Sequence, residues 1–348
     1  MRQVFAAHFS NYPGMEPRDA VKLAYQSVYG GGHLVSDPAA ALARLEGELA
    51  AAPPLPGLPL LEDIGGGRKR LHLNSPAFSA HDPESVAFLF AEGSKAPDRG
   101  PEALDPALDL LREMALTGEA PFSSAALEAF LTQYEVQGRP AVSHSEAYRA
   151  AYRPAYRVME DSLLRFLPLL DAIDGLLRQK DRVTVAIDGM AAAGKSTLGD
   201  LLVKRYGCTL IHMDDFFLPP ELRTPERFAS PGDNVHYERF REQVLAGLDG
   251  ENPFTYDRFD CYTMSYAEKI SVKQNHLTVI EGAYSLHPSL RYFYDLKVFY
   301  PVEPDEQLRR IRVRNGEGCM VRFRDKWIPL ENTYIAACGV RECCDLIL

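Results

Sequence analysis

Residues 183–197 of this 348-residue chain read VTVAIDGMAAAGKST, an apolar and β-branched run that leads directly into G-x-x-x-x-G-K-S. This phosphate-binding P-loop motif has glycines where the backbone must curl so that its N–H groups point at a polyphosphate. Its lysine brings a mobile positive charge to the β- and γ-phosphates, and the serine hydroxyl that follows can ligate Mg²⁺. We therefore predict that a nucleoside triphosphate is bound by Gly189, Met190, Ala191, Ala192, Ala193, Gly194, Lys195, Ser196 and Thr197. The motif does not identify what receives the phosphate.

The chain after residue 180 alternates strand patterns with helix patterns. We predict strands at 183–188, 208–213, 277–281, 296–300 and 344–348, and helices at 195–206, 234–249, 304–315 and 325–337. This alternation indicates a parallel sheet covered by helices, so the predicted fold class of 180–348 is α/β. In such sheets ligands bind at the carboxyl ends of the strands, where the P-loop begins.

Before residue 180, nearly every periodic segment has a helical pattern. The stretch 143–179 is predicted to be a long helix, broken or kinked at Pro154 and Pro168. The stretch 51–67 is predicted to be a loop because of its proline and glycine content, and only 71–73 suggests a short strand. We therefore predict that a mostly α-helical N-terminal domain of unknown role over 1–179, interpreted in the strict case as all-α, precedes the α/β domain over 180–348.

The composition and charge of the chain indicate which classes of partner are disfavoured and in which cell compartment we expect the protein. A net charge of −10 disfavours non-specific binding to nucleic acid or to anionic membranes. No apolar run approaches the roughly 20 residues that span a bilayer, and the first residues lack the apolar core of a signal peptide. The six cysteines include no C-x-x-C pair, which favours reduced thiols over a zinc site. We expect a cytoplasmic protein without a membrane partner, and a homo-oligomer is left open.

Acidic side chains follow two of the predicted strands. Asp214 and Asp215 end the second strand, where a carboxylate can orient a hydroxyl nucleophile or simply cap the next turn. Glu281 ends the third strand, where P-loop enzymes place an acid near Mg²⁺, although an acid can also end a strand by chance. We predict Ser196 and Glu281 as the Mg²⁺-associated residues.

An arginine cluster stands out in this acidic chain. Residues 308–316 read LRRIRVRNG, with four arginines in six positions. Guanidinium groups bind phosphate oxygens bidentately and can stabilise the transferring group when a lid closes. The alternative is a solvated helix face paired with the acids at 303–306.

Five segments together resemble a known family. In chain order they are GMAAAGKST (189–197), HMDDFFLPPELRTPERFASPGDNVHYERF (212–240), FTYDRFDC (254–261), VIEGAYSLHP (279–288), and LRRIRVRNG (308–316) with RFRDKWIPLENTYI (322–335). They resemble the bacterial uridine kinase-like branch of the uridine kinase/phosphoribulokinase family, and the resemblance covers about 181–348. It implies an α/β P-loop kinase domain that transfers the γ-phosphate of ATP to a hydroxyl of a small molecule, with Mg²⁺.

The resemblance also implies roles for single residues. Lys195 and the rest of the P-loop would hold ATP, Asp214 matches the catalytic acid, and Glu281 matches the acid associated with Mg²⁺. Lid arginines correspond to Arg310 and Arg314. A Tyr-Asp pair near the acceptor site corresponds to Tyr256 and Asp257.

The acceptor is less defined by the sequence. The polar, turn-rich region after Asp215 supplies further candidate contacts, namely Asp215, Arg227, Asp233 and His236, whose alternative roles are ordinary turns and caps. Because Phe217 stands where many relatives have tyrosine, and His236 where close relatives often have aspartate, three hypotheses remain. The first is a uridine or related nucleoside kinase. The second is a kinase of another hydroxyl acceptor: a sugar acid, a pentose phosphate, a vitamin precursor or an amino acid. The third is an ATP-binding regulatory module.

Two features of the N-terminal half allow alternative interpretations. The glycine runs 30–32 and 65–67 lie beside basic residues and could form an anion-binding nest or serve as connectors. Tyrosines at 148, 152 and 156, each followed by arginine, would form aromatic and basic stripes on one helix. Such stripes could bind a nucleotide or RNA, but an aromatic stripe is more often part of a core.

Overall fold

The computed structural model describes residues 1–31, 38–95, 99–250 and 253–348, and the side chains of 38 and 39 are not described. Within these ranges the chain divides into one unit over Met1–Asp171 and a second over Ala172–Leu348. The predicted boundary after residue 179 lies further along the chain and stays a prediction. No helix in the described ranges has the length and apolar character needed to cross a membrane.

The second unit confirms the predicted α/β fold class. Its strands are β4 (Val183–Gly189), β5 (Thr209–His212), β6 (Phe254–Asp260), β7 (Ser265–Val272), β8 (Leu277–Glu281), β9 (Leu296–Tyr300) and β10 (Leu346–Ile347). Its helices are α10 (Lys195–Tyr206), α11 (Pro225–Ala229), α12 (Tyr237–Phe240), α13 (Ala246–Asp249), α14 (Pro304–Asn315), α15 (Glu317–Arg322) and α16 (Ile328–Ala337), with π-helical turns at Arg241–Leu245 and Phe323–Trp327.

The main sheet of this unit has five parallel strands in the order β10-β9-β4-β8-β5. Strand β4 is central and buried on both faces, as its apolar sequence predicts. Because β4, β8 and β5 are neighbours, their carboxyl ends meet at one edge of the sheet. The P-loop, Glu281 and Asp214 therefore start from adjacent positions.

Glycine is required at the start of the P-loop. Gly189 has φ of +148°, and a Cβ atom there would lie 2.1 Å from the carbonyl oxygen of Tyr300 on β9. A side chain at this position would collide with backbone that belongs to the sheet and cannot move away. The motif glycine thus allows the loop to leave the sheet tightly beside β9.

A β-hairpin that the sequence analysis missed extends from the second unit. Strands β6 and β7 pair antiparallel through seven residue pairs, with a register shift between Arg258 and Phe259. Only Tyr256, Phe259 and Val272 are buried along the two strands, so the alternation of apolar residues is weak. Charged residues such as Glu268 occupy the exposed face and conceal the pattern.

The first unit is mostly helical. Its helices are α1 (Arg2–Asn11), α2 (Pro17–Tyr29), α3 (Pro38–Ala51), α4 (Pro83–Gly93), α5 (Asp105–Leu116), α6 (Ser124–Val136), α7 (Glu146–Tyr152), α8 (Asp161–Leu164) and α9 (Leu167–Leu177), the last of which crosses the division between the units. Apolar residues of α1, α2, α5 and α6 form one buried core that also contains Ile64 and Val158.

The prediction that this part of the chain is all-α is wrong, because it contains a three-stranded antiparallel sheet. Its strands are β1 (Leu61–Gly65), β2 (Arg68–His72) and β3 (Tyr156–Glu160), in that order. The predicted loop over 51–67 and the predicted helix over 143–179 each conceal one strand. The partner of β3 lies more than eighty residues earlier in the chain, so no local pattern could indicate the pairing.

The two N-terminal features have structural roles in the described residues. Residues 65–67 form the turn between β1 and β2, where a Cβ at Gly66 would lie 1.9 Å from the carbonyl oxygen of Ser27. Gly32 lies outside the described residues. Of the three tyrosines, Tyr148 and Tyr152 are on α7 and Tyr156 is on β3, so they do not form one helical stripe. Tyr148 is buried and stacks on His144 with ring centroids 4.1 Å apart, which agrees with a core role.

A buried ion pair joins β1 to β2 inside the first unit. Arg70 is fully buried and donates to Glu62 at 3.2 Å, and its guanidinium lies 4.5 Å from the ring centre of Tyr156. Burial alone would raise the pKa of Glu62, but His72, Arg70 and His8 together lower that pKa to about 2. The ionised pair therefore contributes to stability above the ordinary glutamate pKa, and the contribution is lost as the pH falls towards 2.

Replacing Glu62 by alanine is expected to destabilise the first unit by about 3–5 kcal/mol at pH 7, because Arg70 would remain buried without its counter-charge. Hydrogen exchange of the β2 amides measures the loss in this unit alone. The matched control is Glu128→Ala, which removes an exposed pair with Arg112 at 3.0 Å and should cost no more than about 1 kcal/mol. Equal protection in both variants would contradict the role of the buried pair.

Candidate functional site

A cavity of about 860 Å³ lies in the second unit at the carboxyl ends of β4, β5 and β8. It is lined by Ala191, Ala192, Gly194, Lys195, Ser196, Thr197, Asp214, Phe217, Arg223, Phe228, Asn234, Cys261, Tyr262, Glu281, Gly282, Ala283, Tyr284, Arg309, Arg310, Val313, Arg314, Asn315, Cys319, Arg322, Phe323, Trp327 and Glu331. The volume is within the range of about 300–1,000 Å³ that small-molecule sites occupy.

The P-loop wall of the cavity is built around Lys195. This side chain is 9% exposed, and its ammonium donates to the carbonyl oxygens of Gly189 at 2.8 Å and Met190 at 3.0 Å. Carbonyl partners hold the ammonium in place but do not neutralise its charge. Lys195 and the backbone N–H groups at the start of α10 therefore favour an anion in this wall.

Ser196 of the P-loop is joined to Glu281 at the end of β8. The Ser196 hydroxyl donates to Oε1 of Glu281 at 3.0 Å, and Nδ1 of His212 lies 2.5 Å from the same oxygen. This bond to Glu281 raises the pKa of His212 despite its burial. Within the described ranges, no group of three or more His, Cys, Asp or Glu side chains could hold a metal. Hydroxyl and carboxylate oxygens nevertheless suit Mg²⁺ that takes its remaining ligands from phosphates and water.

Asp214 presents its carboxylate to the same cavity. Its side chain is exposed because it faces this opening, and it forms no hydrogen bond to another described residue. Desolvation of the carboxylate within the cavity raises the pKa of Asp214, and the positive charge of Lys195 partly offsets this rise. The group can therefore accept a hydrogen bond from a hydroxyl that enters the cavity.

The arginine cluster on α14 divides between two roles. Arg310 donates to the carbonyl oxygens of Ala192 at 3.2 Å and Ala193 at 2.9 Å, and also to Glu306 at 2.7 Å. Arg314 lines the cavity and donates to Asn315 at 2.7 Å. Arg312 does not line the cavity and pairs with Glu317, as in the alternative of a solvated helix face. The structure thus brings both predicted lid arginines, Arg310 and Arg314, to the cavity.

The predicted acceptor contacts next to β5 and on the hairpin lie outside the cavity wall. The Tyr256 hydroxyl donates to Oδ2 of Asp215 at 2.8 Å, and Tyr256 is buried. Asp257 accepts from Gln243 at 2.8 Å and does not line the cavity. These contacts join the hairpin to the segment after β5, so Asp215, Tyr256 and Asp257 have structural partners instead.

The predicted contacts on the following loop form a separate cluster. Arg227 donates to Asp233 at 3.1 Å and to Glu238 at 3.1 Å. His236 lies with its Nε2 3.9 Å from Glu238, and burial lowers the pKa of this histidine. None of Arg227, Asp233 and His236 is among the residues that line the cavity.

Residues that were not predicted as acceptor contacts line the cavity instead. The cavity is also lined by residues for which the sequence indicated no site role, namely Phe217, Arg223, Phe228, Asn234, Cys261, Tyr262, Tyr284, Trp327 and Glu331. Cys261 and Tyr262 come from the turn of the hairpin, which could not be placed without knowing that the hairpin exists. Arg223 lies in the sequence between the predicted contacts Asp215 and Arg227, and its charge was the only feature that could have indicated a site role.

Glu331 binds the P-loop itself. Its Oε2 accepts from the backbone N–H of Ala191 at 2.9 Å, while Gln307 donates to the carbonyl oxygen of Ala191 at 3.0 Å. Burial raises the pKa of Glu331 to about 7, although Lys195 and the bond from Ala191 act in the other direction. Helices α14 and α16 thus fix one residue of the loop from both sides.

Replacing Glu331 by glutamine should change how stability depends on pH. The wild-type carboxyl stabilises the fold fully below its ordinary pKa of 4.5, and that contribution is lost as the pH rises through about 7. Between pH 5 and pH 8 the free energy of unfolding of Glu331→Gln should rise by roughly 3 kcal/mol relative to that of the wild type. Glutamine accepts the same hydrogen bond without ionising, so only the wild type loses stability over this range. Denaturant unfolding without nucleotide measures this gain. Glu221→Gln at an exposed position is the control, and a gain for Glu331→Gln that does not vary with pH would contradict the assignment.

Comparison with known proteins gives partial similarities. No family model matches the chain. The tRNA-specific adenosine deaminase subunit tad2 of Schizosaccharomyces pombe is 27% identical over 183 residues, which are 48% of this chain and 45% of that protein. The chain therefore spans less than half the length of this curated relative.

Among solved structures, similar chains are described as kinases of small molecules or of a transport system. A proposed uridine kinase from Bacillus stearothermophilus is 21% identical and matches 52% of this chain and 99% of its own, with a TM-score of 0.39. A proposed fructose transport system kinase from a Silicibacter species is 21% identical and matches 52% of this chain and 97% of its own, with a TM-score of 0.43. Shikimate kinase from Bacteroides thetaiotaomicron is 19% identical over 48% of this chain and 85% of its own, with a TM-score of 0.22. At these values the similarities do not identify an activity.

Proposed function

We propose that this chain is an ATP-dependent phosphotransferase that transfers the γ-phosphate of ATP to a hydroxyl of a small molecule. One observation carries the proposal: Lys195, Ser196 with Glu281, and Asp214 face a single cavity from three adjacent strand ends. A phosphotransferase needs a phosphate cradle, an oxygen site for a cation and a group that orients the nucleophile. All three requirements have a candidate here.

In the proposed reaction, the acceptor hydroxyl oxygen forms a bond to the γ-phosphorus. The bond from that phosphorus to the bridging oxygen breaks, and ADP leaves with the electron pair. The hydroxyl proton passes to Asp214 and then to water. Because phosphoryl transfer has a loose transition state, Asp214 acts mainly by orienting the hydroxyl, and a moderately raised pKa does not impair it.

The other groups would stabilise charge. Lys195 would hold the β- and γ-phosphates. Arg310 and Arg314 would lie beside the transferring group, because α14 is held against the P-loop by Gln307 and Arg310. Ser196 and Glu281 would hold Mg²⁺, which when bound neutralises phosphate charge. The aromatic side chains in the same wall would exclude water.

The curated relative suggests deamination as a second activity, and we do not extend it to this chain. Zinc-dependent base deaminases bind their metal through a histidine or cysteine and a C-x-x-C pair. This sequence has no C-x-x-C pair, and the P-loop machinery has no role in that chemistry.

A panel of hydroxyl acceptors incubated with the full chain and γ-labelled ATP tests the proposal. The panel includes uridine and other nucleosides, polyols, sugar acids, sugar phosphates and hydroxyl amino acids. Label transferred to any acceptor at a catalytic rate supports a kinase. ATP hydrolysis that no acceptor stimulates would instead support a regulatory ATP-binding module and would overturn the proposal.

A further inference from the structure

Besides the P-loop, the strand-end acids and α14–α16, the cavity wall has contributions from the loop after β5, the hairpin turn and the loop after β8. We call these contributions the acceptor half and define it by Phe217, Arg223, Phe228, Asn234, Cys261, Tyr262 and Tyr284. Among these described residues, Arg223 alone carries a formal charge. The carboxylates of the cavity wall, Asp214, Glu281 and Glu331, belong to the strand ends and to α16.

The guanidinium of Arg223 is fixed but lacks an acidic partner. Its Nε donates to the carbonyl oxygen of Leu218 at 2.7 Å, and the group lies 5.9 Å from the ring centre of Phe259. No carboxylate pairs with Arg223 in the part of the chain that the structure describes. By contrast, Arg227 pairs with Asp233, and Arg258 pairs with Glu268 at 2.9 Å.

This arrangement leaves the positive charge of Arg223 available to a ligand. Arg223 is half-buried beside the ring of Phe259, and an anion that replaced its remaining water would form a charge-assisted hydrogen bond with the guanidinium. Arg223 keeps its terminal N–H groups in a planar fork, which suits the two oxygens of a carboxylate or phosphate. A neutral acceptor would leave this charge unbalanced.

The second charge of the region fixes the orientation of a ligand. Asp214, Arg223 and Cys261 of the hairpin turn line the same cavity, so one ligand would meet both of these opposite charges. An anion is repelled by Asp214 and attracted by Arg223, so it would bind with its charged end at Arg223 and its hydroxyl end towards Asp214.

From these contacts we propose that the acceptor is a small hydroxylated anion, with a carboxylate or phosphate group bound by Arg223. The inference rests on the proposed phosphotransferase activity and narrows its substrate class. The proposed anionic acceptor differs from the neutral nucleoside that the sequence resemblance implies. Phe217 and Tyr284, whose rings meet edge to face with centroids 6.5 Å apart, would cover the apolar part of this ligand.

The test compares matched acceptors on the full chain. Each set contains a polyol, the corresponding sugar acid and the corresponding sugar phosphate, with uridine as the neutral nucleoside, so that carboxylate and phosphate are distinguished. The variants are Arg223→Gln and Arg223→Lys. Arg258→Gln is the control, since Arg258 lies on the hairpin that contributes Cys261 and Tyr262, is ion-paired and does not line the cavity.

We expect one anionic member to be the best acceptor. Arg223→Gln should raise its KM by about 10- to 100-fold, the range for a lost charge-assisted bond, with ATP affinity unchanged. Arg223→Lys should recover part of this loss, and Arg258→Gln should match the wild type. A purely structural role for Arg223 would instead lower activity towards neutral and anionic acceptors alike.

Two results would overturn the inference in different ways. If uridine or a polyol is the best acceptor and Arg223→Gln leaves its KM unchanged, the acceptor is neutral while the kinase activity stands. If the wild-type chain binds ATP but phosphorylates no member of any set, the proposed function itself fails.

Discussion

Replacing Lys195 by alanine is expected to lower turnover by on the order of 10³-fold and to weaken ATP binding, because the developing charge on the transferring phosphoryl group would lose its fixed cation. The effect should be large because Lys195 is buried in the P-loop wall, where water screens charge poorly. Steady-state transfer of labelled phosphate to the best acceptor measures turnover, and titration with a fluorescent ATP analogue measures binding.

The control for this variant is Lys273→Ala. Lys273 is exposed just after β7 and does not line the cavity, so its removal should leave both measurements at wild-type values. A thermal unfolding midpoint for Lys195→Ala close to that of the wild type would exclude collapse of the loop as the cause. Turnover within tenfold of the wild type would remove Lys195 from the proposed phosphate cradle.

Replacing Asp214 by asparagine is expected to separate chemistry from binding. Turnover should fall at least about a hundredfold, the usual scale for loss of a positioned base, while ATP affinity stays nearly intact. Asparagine has the same shape but cannot take the proton, and Asp214 forms no hydrogen bond to another described residue that the change would break. Single-turnover transfer measures the chemical step directly.

Asp200→Asn is the matched control for Asp214. Asp200 is exposed on α10 and lies outside the cavity wall, so the same change of charge should leave turnover unaffected. Unchanged turnover in Asp214→Asn would mean that the hydroxyl is oriented by another group, and it would remove Asp214 from the proposed role. A parallel loss of ATP affinity would indicate instead that the carboxylate supports the P-loop.

Much of the second unit could be predicted because its signals are local. An apolar strand, a glycine-rich turn and a helix follow one another within 183–206, and the observed β4 and α10 match the predicted bounds to within one residue. The parallel order then brings Asp214 and Glu281 to the same edge without further information, because neighbouring parallel strands end together.

The elements that escaped prediction either depend on a distant partner or have a weak apolar pattern. Strand β3 pairs with β2 across more than eighty residues, and β6 pairs with β7 mostly on an exposed face. In both places the local sequence is compatible with another structure, a helix for 156–160 and a loop for the hairpin. Pairing and packing decided the outcome because they supply hydrogen bonds and burial that a local pattern does not encode.

The acceptor half shows the same limit within the candidate site. The polarity of Arg227, Asp233 and His236 made them predicted acceptor contacts. In the structure Arg227 pairs with Asp233 and Glu238, and His236 lies beside Glu238. Arg223, four residues before Arg227, lines the cavity instead. Polarity indicates that a side chain needs partners but not which partners it finds. The path of the loop decides whether a charged side chain pairs with neighbouring residues or faces the cavity, where it can bind a ligand.

The sequence by itself therefore determined the P-loop and the two strand-end acids, since each depends on residues that are contiguous or on the geometry that all parallel sheets share. Apart from Arg310 and Arg314, which the sequence resemblance also indicated, tertiary structure alone decided the rest of the cavity. The hairpin turn, the loop at Arg223 and helix α16 converge there from separate parts of the chain. Their convergence results from packing between distant segments, which is why the phosphate donor could be predicted from the motif while the chemistry of the acceptor had to be inferred from the fold.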